Sequence, residues 1–191
     1  MEQIAIFIDG SNLYYTLRGI YKKSQSLLKF DFEKFIALIS HGRKVARTYY
    51  YTASLDRKKD PITYAKQQQF FEQLKKIPDF ELVLCRMQKE NIDGKTVYTV
   101  KEDDIHLAID MLKLAYRDAY EVALLISNDA DFVPAIKAVK EQGKKVENVV
   151  FEKKFSWHLK QECDRFKQIN KMELDTCFFQ NIEKKGDSRE L

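Results

Sequence analysis

The sequence predicts an α/β domain with three layers, in which a mostly parallel central sheet is flanked by helices. Short apolar runs of strand length alternate with segments of helical spacing along the 191 residues. The runs are continuously apolar, which is typical of strands buried on both faces, as in parallel sheets. Regular alternation of strands and helices at this spacing favours a parallel α/β sheet over an antiparallel one. The length fits one domain.

Five segments have the composition of strands. They are IAIFID (4–9), VARTYYYTAS (45–54), ELVLCRMQ (81–88), EVALLIS (121–127) and KKVENVVF (144–151). The segments between them have apolar residues on one side, as amphipathic helices do. These helical segments are the stretch after Asp9, DFEKFIALIS (31–40), 62–76, 101–119, the stretch after NDADF through Val139, and 156–169. NIDG (91–94) contains a turn-forming Asp-Gly pair.

Composition excludes several classes of protein. An apolar share of 45% with 13% aromatic residues is enough for a core, whereas disordered chains are poorer in both. No run approaches the roughly 20 apolar residues that span a bilayer, and the N-terminus lacks the basic region of a signal peptide. Cys85, Cys163 and Cys177 form no CxxC pair, which favours reduced thiols over a zinc or disulfide scaffold. We therefore expect a cytoplasmic protein without a membrane segment.

Acidic side chains gather where strands end or helices begin. Asp9 ends the first strand, Asp129 follows EVALLIS by two residues, and Asp103 and Asp104 lie near the start of the segment 101–119. Because the carboxyl ends of parallel strands form the functional edge of such a sheet, we expect these carboxylates to lie together. Taken singly, Asp104, Asp129 and Asp131 each have an ordinary explanation as a cap or turn residue. Their convergence on one edge favours a site.

Several carboxylates close together repel one another unless a hard cation lies among them. Mg²⁺ and Mn²⁺ prefer oxygen ligands, and such a cation would polarise a phosphoryl oxygen and help to generate hydroxide for in-line attack. Other chemistries have less support. The histidines lack metal-ligand spacing, no Ser-His or Cys-His arrangement is apparent, and DGSN has neither a Walker lysine nor a GxGxxG pattern.

Three segments in order carry a family resemblance. IFIDGSNLYY, KEDDIHLAIDML and LLISNDADFVPAIKAVKEQGKKVENVVF resemble the NYN domain, in particular its LabA-like branch within the PIN-like nuclease superfamily. TYYY (48–51) and FSWHLKQECDRF (155–166) also fit that branch. The resemblance implies a Rossmann-like PIN fold, a Mg²⁺- or Mn²⁺-dependent ribonuclease site and RNA as the usual substrate. We assign the nuclease domain to residues 1–170 and expect 171–191 to be a partly disordered C-terminal extension.

The resemblance also assigns roles position by position. It implies catalytic and metal-binding roles for four aspartates: Asp9, Asp104, Asp129 and Asp131. Related PIN-like nucleases open the middle helix with two adjacent aspartates, so the resemblance also implies Asp103 as an additional metal ligand. We expect supporting roles for Asn12, Ser127, Asn128, Lys101 and Asp110. Asp110 lies roughly 9 Å further along the helix axis than Asp104 and points to another face. The two carboxylates therefore cannot readily share a metal.

Positive charge concentrates elsewhere in the chain. The segment 43–76 has nine Lys or Arg residues against three acidic ones, a local excess of +6, although the net charge is only +4. The residues predicted to hold RNA phosphates are Arg43, Lys44, Arg47, Arg57, Lys58 and Lys59. Tyr50, Tyr51 or Tyr64 could stack on bases. The alternative is a solvated charged surface beside a core strand, TYYY.

Three functions remain open at this point. The first is a metal-dependent endoribonuclease, which the full set of aspartates favours. The second is a catalytically silent RNA-binding or regulatory module that retains the acidic site. The third, a phosphatase or nucleotide hydrolase, is weakened because the first strand ends in DGSN and not in the DxD pattern of haloacid-dehalogenase-like phosphatases. RNA is the expected partner, no membrane is expected, and a homodimer is compatible with the sequence.

Overall fold

A seven-stranded sheet forms the centre of the protein. The computed structural model describes residues 2–22, 26–92, 95–151 and 155–179. The strands are β1 Gln3–Asp9, β2 Lys44–Ala53, β3 Phe80–Ile92, β4 Lys95–Lys101, β5 Val122–Ile126, β6 Lys145–Phe151 and β7 Arg165–Ile169. They are ordered β4-β3-β2-β1-β5-β6-β7, and all neighbours are parallel except the antiparallel pair β3 and β4. The predicted fold class is therefore confirmed.

Helices cover both faces of the sheet. They are α1 Gly10–Tyr21, α2 Phe32–Ser40, α3 Pro61–Leu74, α4 Asp103–Tyr116, α5 Val133–Glu141, α6 Trp157–Glu162 and α7 Lys171–Asp175. Apolar residues of α1, α2, α3 and α7 pack in one core, and those of α4, α5 and α6 pack in the other. Among the described helices, none has the length and apolar character needed to cross a bilayer.

The central strand β1 contributes to both cores. Ile4, Ile6 and Ile8 point into the core under α1, whereas Ala5 and Phe7 point into the core under α4. Successive side chains of a strand alternate between faces, and all five residues are at most 2% exposed. This two-sided burial explains the continuously apolar run at the start of the sequence, and it fixes the place of Asp9 at the end of the strand.

The segment 156–169 differs from the sequence prediction. A single helix was expected there, but α6 ends at Glu162 and β7 follows it. The Asp164 backbone N–H donates to the Val146 carbonyl at 2.8 Å, and the Val146 N–H donates to Oδ2 of Asp164 at 2.8 Å. This reciprocal contact draws the chain onto the edge of β6, where ladder hydrogen bonds replace the helical ones. The strand β4 was not predicted either, although its sequence KTVYTVK is rich in β-branched residues.

The folded core continues past the domain boundary expected at residue 170. Leu174, Cys177 and Phe178 are buried in the core under α1. Phe178 forms a β-bridge with Phe30, and the Tyr21 hydroxyl donates to Oδ1 of Asp175 at 2.6 Å. Residues 171–179 therefore pack as part of the same unit, whereas 180–191 lie outside the described residues.

Gly10 joins β1 to α1 at a point where the backbone of β2 lies very close. A Cβ atom at this position would be 2.5 Å from the Tyr51 carbonyl oxygen and 2.5 Å from Cε1 of Tyr50. Because both tyrosines are buried, neither can move aside cheaply. We predict that Gly10→Ala lowers the free energy of unfolding by about 1–3 kcal/mol, as overpacking does, measured by urea denaturation.

Gly19→Ala is the matched control, because Gly19 lies on the exposed side of the same helix. Alanine has the higher helix propensity, so this change should raise stability by up to about 1 kcal/mol. A Gly10→Ala protein as stable as the wild type would contradict the close packing of α1 on β2.

Candidate functional site

The acidic edge forms where the order of the parallel strands reverses. β1 pairs with β2 on one side and β5 on the other. The helix after β1 packs on one face of the sheet, and the helix after β5 packs on the opposite face. In open α/β sheets, the crevice beyond the carboxyl ends of two such strands is the usual ligand site. Asp9 is the last residue of β1, and Ser127 directly follows β5.

Three carboxylates meet at this crevice. Asp9, Asp103 and Asp104 each offer an oxygen atom, and these oxygens all lie within 4.8 Å of one another. Asp9 and Asp103 are buried, whereas Asp104 is exposed. We refer to these three residues as the acidic triad. The sequence ranked Asp103 behind Asp104, but the structure brings a carboxylate oxygen of each within 4.8 Å of Asp9.

Asp9 is fixed through both of its carboxylate oxygens. The Asn12 backbone N–H donates to Oδ1 at 2.8 Å, and the Ser127 hydroxyl donates to Oδ2 at 2.9 Å. Burial raises the pKa of Asp9 to about 6 in spite of these two hydrogen bonds, which favour the charged form, and the charges of Asp103 and Asp129 add to the rise. Asp9 is therefore rigidly held and costly to ionise.

Asp103 and Asp104 occupy the first two positions of α4, since the N-cap residue is Glu102. Glu102 has a φ of 75° and makes no side-chain cap hydrogen bond. The Ser11 hydroxyl donates to Oδ2 of Asp103 at 3.3 Å, which connects the first turn of α1 to the start of α4. Although Asp104 is exposed overall, partial burial of its carboxyl raises its pKa to about 6, together with the charges of Asp103, Asp9, Asp129 and Asp131.

Asp129 and Asp131 lie beside the triad, in the turn that follows β5. The Ser127 hydroxyl, which donates to Asp9, also accepts the Asp129 backbone N–H at 3.1 Å. Oδ1 of Asp129 accepts the Asp131 N–H at 3.0 Å and caps the 3₁₀ turn Ala130–Phe132. Both residues thus have a local turn contact, and their charges also reach the triad.

Asn148 supports this turn, and the sequence pattern did not predict its role. Its side-chain amide donates to the carbonyls of Leu125 at 3.0 Å and Ser127 at 2.9 Å, and the residue is fully buried in β6. The available signal was an amide inside the strand KVENVVF, directly before the apolar residues Val149, Val150 and Phe151. Among the residues that the structure describes, Oδ1 of Asn148 and Oδ1 of Asn128 are buried side-chain atoms without a hydrogen-bond partner.

The other residues predicted to support the site are Asp110, Lys101 and Asn12. The buried Tyr51 hydroxyl donates to Oδ2 of Asp110 at 3.2 Å, so Asp110 ties the middle of α4 to β2. The side chain of Lys101 lies outside the described part of the structure. Asn12 contributes through its backbone N–H, which donates to Asp9.

The six basic residues predicted to bind RNA fall into two separate groups. In the strand register, Lys44 is opposite Gln3, Arg47 is opposite Ala5 and Tyr51 is opposite Asp9. Lys44 therefore lies about 20 Å from the acidic edge at roughly 3.3 Å per residue, and Arg43 precedes it. Arg43 also pairs bidentately with Glu147, at 2.9 Å for both contacts, and Arg47 pairs with Glu81 at 3.1 Å.

The other basic group follows the carboxyl end of β2, on the same edge as Asp9. It consists of Arg57, Lys58 and Lys59, and all three are exposed. The tyrosines proposed for base stacking are placed less favourably. Tyr50 and Tyr51 are 2% and 1% exposed, respectively, so neither presents a ring face to a ligand.

The cysteines are free thiols, and their surroundings favour the protonated form. Burial raises the pKa of Cys85 to about 11 and that of Cys163 to about 12, with nearby carboxylates adding to both shifts. Because the thiolate is the nucleophilic form, neither thiol is activated for covalent catalysis.

Comparison with known proteins places this geometry in a family. The profile of the NYN domain matches residues 3–170. The crystal structure of a protein of unknown function from Vibrio parahaemolyticus matches with a TM-score of 0.68 and 27% identity, covering 89% of this chain and 94% of that chain. An uncharacterised protein of Methanocaldococcus jannaschii is 33% identical over 89 residues, which are 46% of this chain and 36% of that protein. This chain thus matches about a third of that relative's length. Since the profile extends over nearly all of the described residues, the chain belongs to the NYN domain family, within the PIN-like nuclease superfamily.

Proposed function

We propose that the protein is a metal-dependent endoribonuclease of the LabA-like branch, which hydrolyses RNA phosphodiester bonds at the acidic triad. The observation that carries this proposal is the meeting of Asp9, Asp103 and Asp104 within 4.8 Å at the strand-order reversal of a nuclease-superfamily fold. Asp129 and Asp131, which adjoin the triad through Ser127 and through their charges, complete the set of acidic residues.

The donor set fits Mg²⁺ or Mn²⁺. All three triad ligands are carboxylate oxygens, which these hard cations prefer. Without a cation, the charged forms of Asp9 and Asp104 are disfavoured, as their raised pKa values indicate. When bound, the cation supplies Lewis-acid polarisation of the scissile phosphate and lowers the pKa of a bound water.

The chain's own residues orient this site. Asn12 and Ser127 fix the two oxygens of Asp9, and Ser11 fixes one oxygen of Asp103, so the two buried carboxylates are held before the substrate arrives. Asp104 is the exposed member of the triad, so its carboxylate is the one most open to an incoming phosphate. The exposed loop residues Arg57 and Lys58 provide the phosphate-binding charge on the same edge.

The first prediction from this proposal concerns cleavage. In Mn²⁺, the wild-type protein should cut single-stranded and hairpin RNA, and EDTA should abolish the activity. Asp9→Asn and Asp103→Asn should each lower the cleavage rate at least about 100-fold, because each removes a ligand charge and leaves the fold intact. The measurement is gel analysis of end-labelled RNA under single-turnover conditions.

Asp118→Asn is the matched control, since Asp118 is an exposed aspartate paired with Lys144 at the opposite end of the sheet. It should cleave at the wild-type rate. Unchanged cleavage by Asp9→Asn or Asp103→Asn would disprove the assignment of the triad. RNA binding without any cleavage by the wild type would favour the regulatory module over the nuclease.

The second prediction separates the two basic groups. Lys58→Gln should weaken RNA binding and reduce the slope of log affinity against log salt by about 1, as the loss of one phosphate contact does. Lys44→Gln removes the same charge at the opposite end of the sheet and should change neither quantity. Fluorescence anisotropy titrations at several salt concentrations measure both. An equal effect of the two substitutions would show that RNA binding is spread over the whole basic segment.

The third prediction concerns stability and pH in the absence of metal. The folded protein raises the pKa of Asp9 from 3.8 to about 6, so it binds the proton more tightly than the unfolded chain does. The stabilisation is complete below about pH 4 and is lost as the pH rises through about 6. At pH 7.5 in EDTA, Asp9→Asn should therefore unfold at a higher temperature than the wild type, with a gain of up to about 3 kcal/mol.

Thermal unfolding at pH 5 and pH 7.5, with EDTA or Mn²⁺, measures this effect. Mn²⁺ should stabilise the wild type more than Asp9→Asn, since a ligand of the native state alone raises stability by mass action. An Asp9→Asn protein that is less stable than the wild type at pH 7.5 in EDTA would show that ionised Asp9 does not oppose folding.

A further inference from the structure

The helix α1 carries exposed aromatic residues shortly after the acidic site. Tyr15 is 67% exposed and Tyr14 is 40% exposed, and their rings meet edge to face with centroids 5.2 Å apart. The Arg18 guanidinium lies 5.8 Å from the centroid of the Tyr14 ring, and its Nη1 donates to the Tyr14 hydroxyl at 3.0 Å. We refer to Tyr14, Tyr15 and Arg18 as the α1 platform.

The platform is continuous with the acidic triad. Residues three, four and seven positions apart share a face of a helix, so Tyr14, Tyr15 and Arg18 lie on the face that begins at Ser11. Ser11 itself donates to Asp103 of the triad. Tyr15 lies only about 6 Å further along the helix axis than Ser11. The exposed rings therefore lead directly away from the site of the carboxylates.

The fold does not account for these rings. The inward face of α1 is formed by Leu13 and Leu17, which pack in the core. Tyr15 leaves two thirds of its surface exposed to solvent. Tyr50 and Tyr51, which pack in the core, are almost fully buried. A pair of exposed rings with a guanidinium beside them offers both a stacking surface and a positive charge.

We propose that the α1 platform stacks an unpaired base of single-stranded RNA, while Arg18 contacts the adjoining phosphate. Exposed aromatic rings bind nucleic acid by stacking on bases that are free of their own stack, and a duplex keeps its base faces covered. One RNA strand then has its scissile phosphate at the acidic triad and a nearby base on the α1 platform. The inference rests on the proposed function and narrows its substrate to RNA that is unpaired next to the scissile bond.

Binding is measured apart from cleavage, in the Asp9→Asn background with Mn²⁺, by fluorescence anisotropy of a labelled oligouridylate. Tyr15→Ala should raise the Kd about fivefold or more, the effect of losing one stacked base. Tyr15→Trp should retain the affinity, because an aromatic ring is restored. The Kd for a fully paired RNA duplex should stay the same in both variants.

Tyr116→Ala is the matched control, since Tyr116 is 78% exposed at the end of α4 remote from the triad. It should leave both Kd values unchanged. An unchanged oligouridylate Kd in Tyr15→Ala, an equal loss of duplex binding, or a failure of Tyr15→Trp to restore affinity would each overturn the platform. If the wild type cleaves no RNA and Tyr15→Ala still weakens oligouridylate binding selectively, the platform stands and the nuclease proposal fails.

Discussion

The hydrogen bond from the Ser127 hydroxyl to Oδ2 of Asp9, at 2.9 Å, joins the two central strands where the chain sends its helices to opposite faces. Ser127 is held in turn by Asn148, which donates to its carbonyl from β6. The other oxygen of Asp9 is held by the first turn of α1. The position of the acidic edge is therefore set by the register of β1, β5 and β6, together with the residues directly after β1 and β5 that hold Asp9. A rigid sheet centre suits a site whose carboxylates lie close together although they repel.

Placing charge at the centre of the fold has an energetic cost. Asp9 combines near-complete burial with two acidic neighbours, and its pKa of about 6 expresses the free energy that opposes its ionisation. The strand beneath offsets this cost, because Ile4, Ile6 and Ile8 are fully buried. Burial of each such side chain contributes about 1.5–3 kcal/mol. A strand that is apolar from Ile4 to Ile8 thus ends in a buried carboxylate that is costly to ionise.

Local patterns in the sequence predicted five of the seven strands, the acidic edge and the family, because each leaves a signal in short stretches of sequence. Contacts between distant residues could not be predicted. The bidentate pairing of Arg43 with Glu147 joins residues 104 positions apart, and it places a predicted RNA-binding residue in a structural ion pair. The strand β7 depends on the contact between Asp164 and Val146. The burial of Asp103 follows from its place four residues before Leu107, on the face of α4 that also buries Met111 and Ala115, whereas Asp104 points to the exposed side.

The folded unit extends further toward the C-terminus than the match to the family does. The family profile ends at residue 170, yet Leu174, Cys177 and Phe178 fill the core that also holds Tyr21 and Phe30. A chain trimmed at the family boundary would open a solvent-exposed gap beside the helix that carries Ser11 and the first turn of the site. Any version of this protein prepared for an assay should therefore keep the residues through Phe179, since a shortened one would lose buried side chains that pack in the same core as Tyr21 at the end of α1.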